Sequence, residues 1–163
     1  MTEAQLSNAM DAYGSTVYRL ALTRMQNIAD AEDVYQEVFL RLWKQAAEDW
    51  DGDRAKAWLI RTTLNRCADL HRFRLRRPVL SFAEIPDLAQ PEDESRELWE
   101  AVSRLPEKAR TAVHLYYAEG YSAEEISQLM HIPAATVRTR LHRARKQLKE
   151  LLGGIDDETC ISR

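Results

Sequence analysis

"LPEKARTAVHLYYAEGYSAEEISQLMHIPAATVRTRLHRARKQLKELLGG", residues 105–154, reads as three helices with their punctuation intact. Pro106 suits a first helical turn, where its missing N–H is no loss, and Gly120 suits the position just past a helix end. Ser122-Ala-Glu-Glu125 is a capping box: a hydroxyl and a carboxylate three residues apart satisfy each other's backbone N–H and open a short helix that runs to about Met130. "HIPAA" then makes a tight connection, with Pro133 at the start of the third helix. In that helix Val137, Leu141, Ala144, Leu148 and Leu151 recur at spacings of four, three, four and three, which makes one apolar stripe. By subtraction the outward face holds Ala135, Arg138, Thr139, His142, Arg143, Lys146 and Lys149, with Arg140 and Arg145 flanking it within reach of phosphate. Small residues first and basic ones later is the order a recognition helix needs to approach base edges and still meet the backbone. A basic helix alone is usually solvated, and one of this charge also suits a membrane surface. Here the stripe is narrow and used by packing on two neighbours, which leaves no apolar face for a bilayer. Capped helix, tight turn and basic helix together predict a helix-turn-helix DNA-binding domain.

This basic helix belongs to a chain of net charge −3, so its field is local. Residues 61–80 hold six Arg against one Asp, residues 137–149 hold six bases and no acid, and residues 81–100 between them hold seven acids and one Arg. Two basic patches flank an acidic connector, and it is the local patch, not the sum, that meets a polyanion. Pro86 and Pro91 break any long helix there. The expected organisation is therefore a helical domain over 1–77, a flexible acidic linker over 78–92, a helix-turn-helix domain over 93–153 and a disordered tail over 154–163. Only five Gly and five Pro in 163 residues leave little room for a many-turned β fold, so the fold class is all-α: two small helical domains, the second winged-helix-like or tetrahelical. No apolar run reaches the roughly 18 residues that span a bilayer, and the N-terminus lacks the basic-then-apolar order of a signal peptide. A cytoplasmic protein is expected. Cys67 and Cys160 make neither a disulfide framework nor a ligand set, and no metal or cofactor is expected.

In the N-terminal half Leu6, Met10, Tyr13, Val17 and Leu20 line one face of a first helix. A second begins near Asp30, a residue able to cap it, and buries Ala31, Val34, Val38 and Leu42. Its opposite side carries Asp33, Gln36, Glu37, Leu40 and Trp43, so one helix has two faces to bury, and either a third helix or a partner must cover the far one. The third helix, about Arg54 to Arg74, puts Ala57, Ile60, Leu64, Cys67 and His71 inside. Cys67 and His71 form half a metal site at most, with no second pair to complete it. Its other side presents Trp58, Arg61, Thr62, Asn65 and Arg72, and Arg74, Arg76 and Arg77 continue the charge. An amide for base edges and a ring for stacking, set among guanidiniums, suit nucleic acid better than a solvated surface does.

Taken together, "DAEDVYQEVFLRLW" (30–43), "AWLIRTTLNRCADLHR" (57–72) and the stretch from Leu105 to Leu148 resemble the extracytoplasmic-function class of bacterial RNA polymerase sigma factors, in the sigma-70 superfamily, over about residues 8–152. The resemblance implies a protein without chemistry of its own that binds core RNA polymerase, directs promoter-specific initiation and is controlled by an anti-sigma factor. The first motif would dock Asp33, Gln36, Glu37, Leu40 and Trp43 on the β′ clamp helices. The second would recognise and help melt the start-proximal promoter element, with Asn65 as a base reader flanked by Arg61, Thr62 and Arg72. The third would read the upstream element through Arg138, Thr139, His142 and Arg143, on a domain that also meets the β flap. The acidic linker would thread toward the active-centre and RNA-exit channels. Against this pattern, Ala55 replaces a commoner aromatic, Tyr35 a small aliphatic and Tyr116 a phosphate-binding Arg. The runner-up is a stand-alone helix-turn-helix regulator, which binds duplex DNA without polymerase. An enzyme acting on nucleic acid would need carboxylates or histidines clustered beside a basic patch, and the acids at 30–37 are accounted for by a helix start and a docking face.

Overall fold

The computed structural model describes residues 1–45, 52–76 and 93–153. The linker at 78–92, Arg77, Cys160 and the tail at 154–163 lie outside them. The chain divides into two compact units, Met1–Pro86 and Asp87–Arg163, and every described element is helical.

The first unit contains α1 (Glu3–Met25), α2 (Ile28–Lys44) and α3 (Gly52–Arg76), all three in mutual contact. Thr2 and Gln5 open α1 with a reciprocal capping box, and Gln26 closes it in the left-handed region at φ 52°. Asn27 caps α2, its side-chain oxygen accepting from the Asp30 N–H at 3.1 Å. Asp30 is therefore not the cap the sequence suggested; it lies within the first turn, 4% exposed, paired with Arg74 of α3. Val17, Ala21, Val34, Val38, Phe39, Leu42, Leu59 and Cys67 form the core. Each buried Val, Leu or Phe among them contributes about 1.5–3 kcal/mol. Met10, placed on the α1 stripe by its spacing, is exposed, although Leu6, Ala9 and Tyr13 on either side of it pack against the core. Tyr35 packs between α1 and α2 with its ring against Tyr18 and Phe39. A Cβ at Gly14 would meet its hydroxyl at 3.0 Å, so the glycine is what admits the larger ring.

The described part of the second unit contains four helices, α4 (Asp93–Ser103) and then the three read from residues 105–154: α5 (Glu107–Val113), α6 (Ala123–Met130) and α7 (Ala134–Leu151), with α5 running on as a π-helical stretch, His114–Ala118. Arg110, buried, donates to the Leu105 carbonyl at 2.8 Å and so satisfies the turn between α4 and α5. Gly120 at φ 74° reverses the chain, and both hydrogen bonds of the Ser122–Glu125 capping box are present. The α6–α7 turn is closed by His131 at φ 54° and by the Ile132 N–H bond to the Ser127 carbonyl at 3.2 Å. Val137, Leu141, Ala144 and Leu148 of α7 pack with Leu105, Leu115, Ile126 and others as the core of this unit. Leu151, predicted as the last residue of the stripe, is exposed. Among the described residues no helix is long and apolar enough to cross a membrane.

Candidate nucleic-acid interface

With Val137, Leu141, Ala144 and Leu148 fully buried, the 3.6-residue period forces the rest of α7 outward. Ala135, Arg138, Thr139, His142, Arg143, Lys146 and Lys149 are all exposed. Ala135 and Thr139 keep the N-terminal end small, and the Thr139 hydroxyl donates back to the Ala135 carbonyl at 2.9 Å, leaving its lone pairs outward. Arg138 is engaged by the Glu124 carboxylate of α6, both side chains more than half exposed, so water and salt screen the pair and a stronger acceptor can displace Glu124. Nothing in the sequence spacing flagged Glu124, which reaches Arg138 only because the α6–α7 turn folds the two helix starts together. Arg145 differs from its neighbours. It is half-buried, its Nε donating to the Tyr117 hydroxyl at 2.7 Å.

On α3 the predicted face separates. Arg61, Asn65 and Arg72 are exposed, and Trp58 is half-buried against the core cluster. Thr62 does not share that face: it is 8% exposed, and its hydroxyl donates to the Trp58 carbonyl at 2.8 Å. Arg72 is paired with Asp69 on the surface, and Arg74 with the buried Asp30. Arg76 is the last residue of the helix. Phe73, not singled out from the sequence, is 53% exposed beside them. Arg66, Asp69, Leu70, Arg72 and Phe73 line a cleft of about 390 Å³; the spacing 66, 69/70, 73 is the signal that joins them on one side of a helix. An exposed ring among guanidiniums is a stacking surface for unpaired bases.

On α2, Asp33, Gln36, Leu40 and Trp43 are exposed and Glu37 half-buried, accepting from Arg41 at 3.1 Å. The side chains predicted to share a face do so. Burial pushes the Asp30 carboxyl above its usual range, against the opposing pull of Arg74. Among the described residues no group of three or more His, Cys, Asp or Glu is placed to hold a metal ion.

Comparison with known proteins agrees in both halves. Residues 9–77 match the family described as Sigma-70 region 2, and residues 95–148 the one described as Sigma-70, region 4. Among curated relatives, the ECF RNA polymerase sigma factor SigE of Mycolicibacterium smegmatis is 34% identical over 92% of this chain and 62% of its own length. The ECF RNA polymerase sigma factor SigM of Bacillus subtilis is 32% identical over 90% of this chain and 94% of its own. Among solved structures, the sigma factor RpoE in complex with the anti-sigma factor NepR from Bartonella quintana superposes with a TM-score of 0.77 at 22% identity, covering 91% of this chain and 96% of that one.

Proposed function

Because the chain belongs to the extracytoplasmic-function RNA polymerase sigma factors, we propose that it gives core RNA polymerase its promoter specificity through three separate faces, in the cytoplasm and without chemistry of its own. The observation that carries this reading is on α2. Leu40 is 47% and Trp43 42% exposed, while the other side of the same helix fills a core. Two large apolar groups in water beside Asp33, Gln36 and Glu37 call for a protein partner with apolar and basic character, and the β′ clamp helices supply it. Covering what remains exposed contributes about 1 kcal/mol for each.

The other two faces take promoter DNA. Arg61, Asn65 and Arg72 of α3, with Trp58 behind them, capture the start-proximal element as it opens. Arg76 and Arg77 add to the positive charge of this stretch of sequence, and Arg74 reaches DNA only when released from Asp30. The α7 face enters the major groove of the upstream element, where Arg138 and Arg143 read bases and Lys146 meets phosphate. The second unit also docks on the β flap. An anti-sigma factor of the kind that holds RpoE in its solved complex would occlude these faces until the signal arrives.

The test is binding of the full chain to core polymerase. Trp43→Ala should weaken that binding at least about tenfold without lowering the chain's thermal midpoint, since Trp43 is outside the core. Unchanged binding by both Trp43→Ala and Leu40→Ala would remove α2 as the docking face.

A further inference from the structure

Arg145 stands apart on α7 because its surroundings are built. Its guanidinium carbon lies 5.6 Å from the centroid of the Tyr116 ring and 5.8 Å from that of Tyr117, and its Nε donates to the Tyr117 hydroxyl at 2.7 Å. The two rings meet edge to face at 4.8 Å and 75°. They are consecutive in sequence, and a regular α-helix would send consecutive side chains about 100° apart. The backbone explains the exception. Residues His114–Ala118 form a π-helical turn, in which the Glu119 N–H reaches back five residues to the His114 carbonyl at 3.2 Å. Both rings meet the same neighbour from this turn, and such turns concentrate at functional positions.

The partners gathered around Arg145 are neutral. A phenol oxygen and two ring faces orient and attract a guanidinium without cancelling its charge. Among the described residues no carboxylate is paired with it, in contrast to Arg138, Arg72 and Arg74. The single bond to Tyr117 uses Nε and leaves the Nη donors without a hydrogen bond among the described residues. In position, Arg138, His142 and Arg145 follow each other at spacings of four and three, one side of the helix. Arg145 is the farthest from the helix start, where a recognition helix lifts away from the bases and passes the backbone.

We propose that Tyr116, Tyr117 and Arg145 form a preorganised phosphodiester-binding site at the edge of the recognition helix, with Arg145 as the ligand-contacting residue and the two tyrosines as positioning residues. The proposal rests on α7 entering the promoter's upstream element. The ligand is a backbone phosphate of duplex DNA, held bidentately by the Nη fork. Because the clamp fixes the long side chain before binding, little rotamer freedom is lost on contact. The site adds affinity and register and leaves sequence preference to Arg138 and Arg143.

The experiment uses holoenzyme assembled from the full chain and core polymerase, on a promoter that the wild-type holoenzyme transcribes, with affinity measured across a range of salt. Failure of the wild type to transcribe from any promoter would sink the functional reading itself. Given a wild-type promoter complex, Arg145→Gln should weaken binding about tenfold and make the log–log salt dependence shallower by about 0.9, one phosphate's worth. Arg145→Lys should restore the slope. A salt slope in Arg145→Gln equal to the wild type's overturns the proposal. If that variant loses helical signal, Tyr117→Phe carries the test, since it keeps both rings and removes only the hydroxyl. It should weaken binding about threefold or more at an unchanged thermal midpoint, whereas wild-type affinity there overturns the proposal too.

Discussion

Arg74 reaches across 44 residues of sequence to Asp30, and the pair ties the last turns of α3 to the first turn of α2. The aspartate is nearly inaccessible, one of its oxygens, Oδ2, is buried without a hydrogen bond among the described residues, and burial raises its pKa in spite of Arg74. An acid with a raised folded pKa binds its proton more tightly in the folded state than in the unfolded one. Its contribution is greatest below the ordinary carboxylate range and is lost as pH rises through the raised value. Urea melts from about pH 3 to about pH 8 should therefore show the stability of the wild type, relative to Asp30→Asn, falling as pH rises; a difference that is flat or rises contradicts the assignment. Neither the pair nor the true cap was legible in the sequence. Asn27 and Asp30 are both capping residue types, and what decides between them is the buried partner, which no local spacing announces. Thr62 shows the same limit: its position on the helical wheel points toward Asn65, but the neighbouring helices cover it.

At the scale of the element, periodicity and caps carried the most. Every residue placed on the outer face of α7 is exposed, because four buried aliphatic positions at regular spacing leave one face for the rest. Removing one of them should be costly: Leu141→Ala lowers the stability of the second unit by about 2–5 kcal/mol in denaturant titrations. Ser122→Ala should cost about 1 kcal/mol, since both bonds of its box are present; a loss below a few tenths would mean the box carries nothing for α6. The stripes failed at Met10, exposed between Leu6 and Tyr13 that pack on the core, and at Leu151, the last residue of α7. Helix α4 escaped notice because it begins in the acid-rich connector and buries only Ala101 and Val102, too few for a periodic signal. The π-helical turn has no composition cue at all, so the meeting of Tyr116, Tyr117 and Arg145 emerges only from coordinates.

Over the whole molecule, segregation of charge mattered more than its sum. A chain of net charge −3 carries basic groups on α3 and α7, one in each unit, and two of its exposed large apolar groups, Leu40 and Trp43, on α2 beside acids. A sigma factor needs such a face for polymerase, whereas a self-sufficient helix-turn-helix regulator would use it to sense or dimerise. The family was legible because three motifs occur in order across both units, while the proposed DNA faces were legible only in part, since ion pairs with Asp30, Asp69 and Glu124 occupy several of the arginines in the free protein. The most direct measurement is transcription on fragmented genomic DNA by core polymerase with and without the purified chain, with RNA 5′ ends mapped by sequencing. The account predicts that adding the chain concentrates starts at a small set of sites that share two short upstream sequence elements. A start-site profile the same as that of core polymerase alone would contradict it.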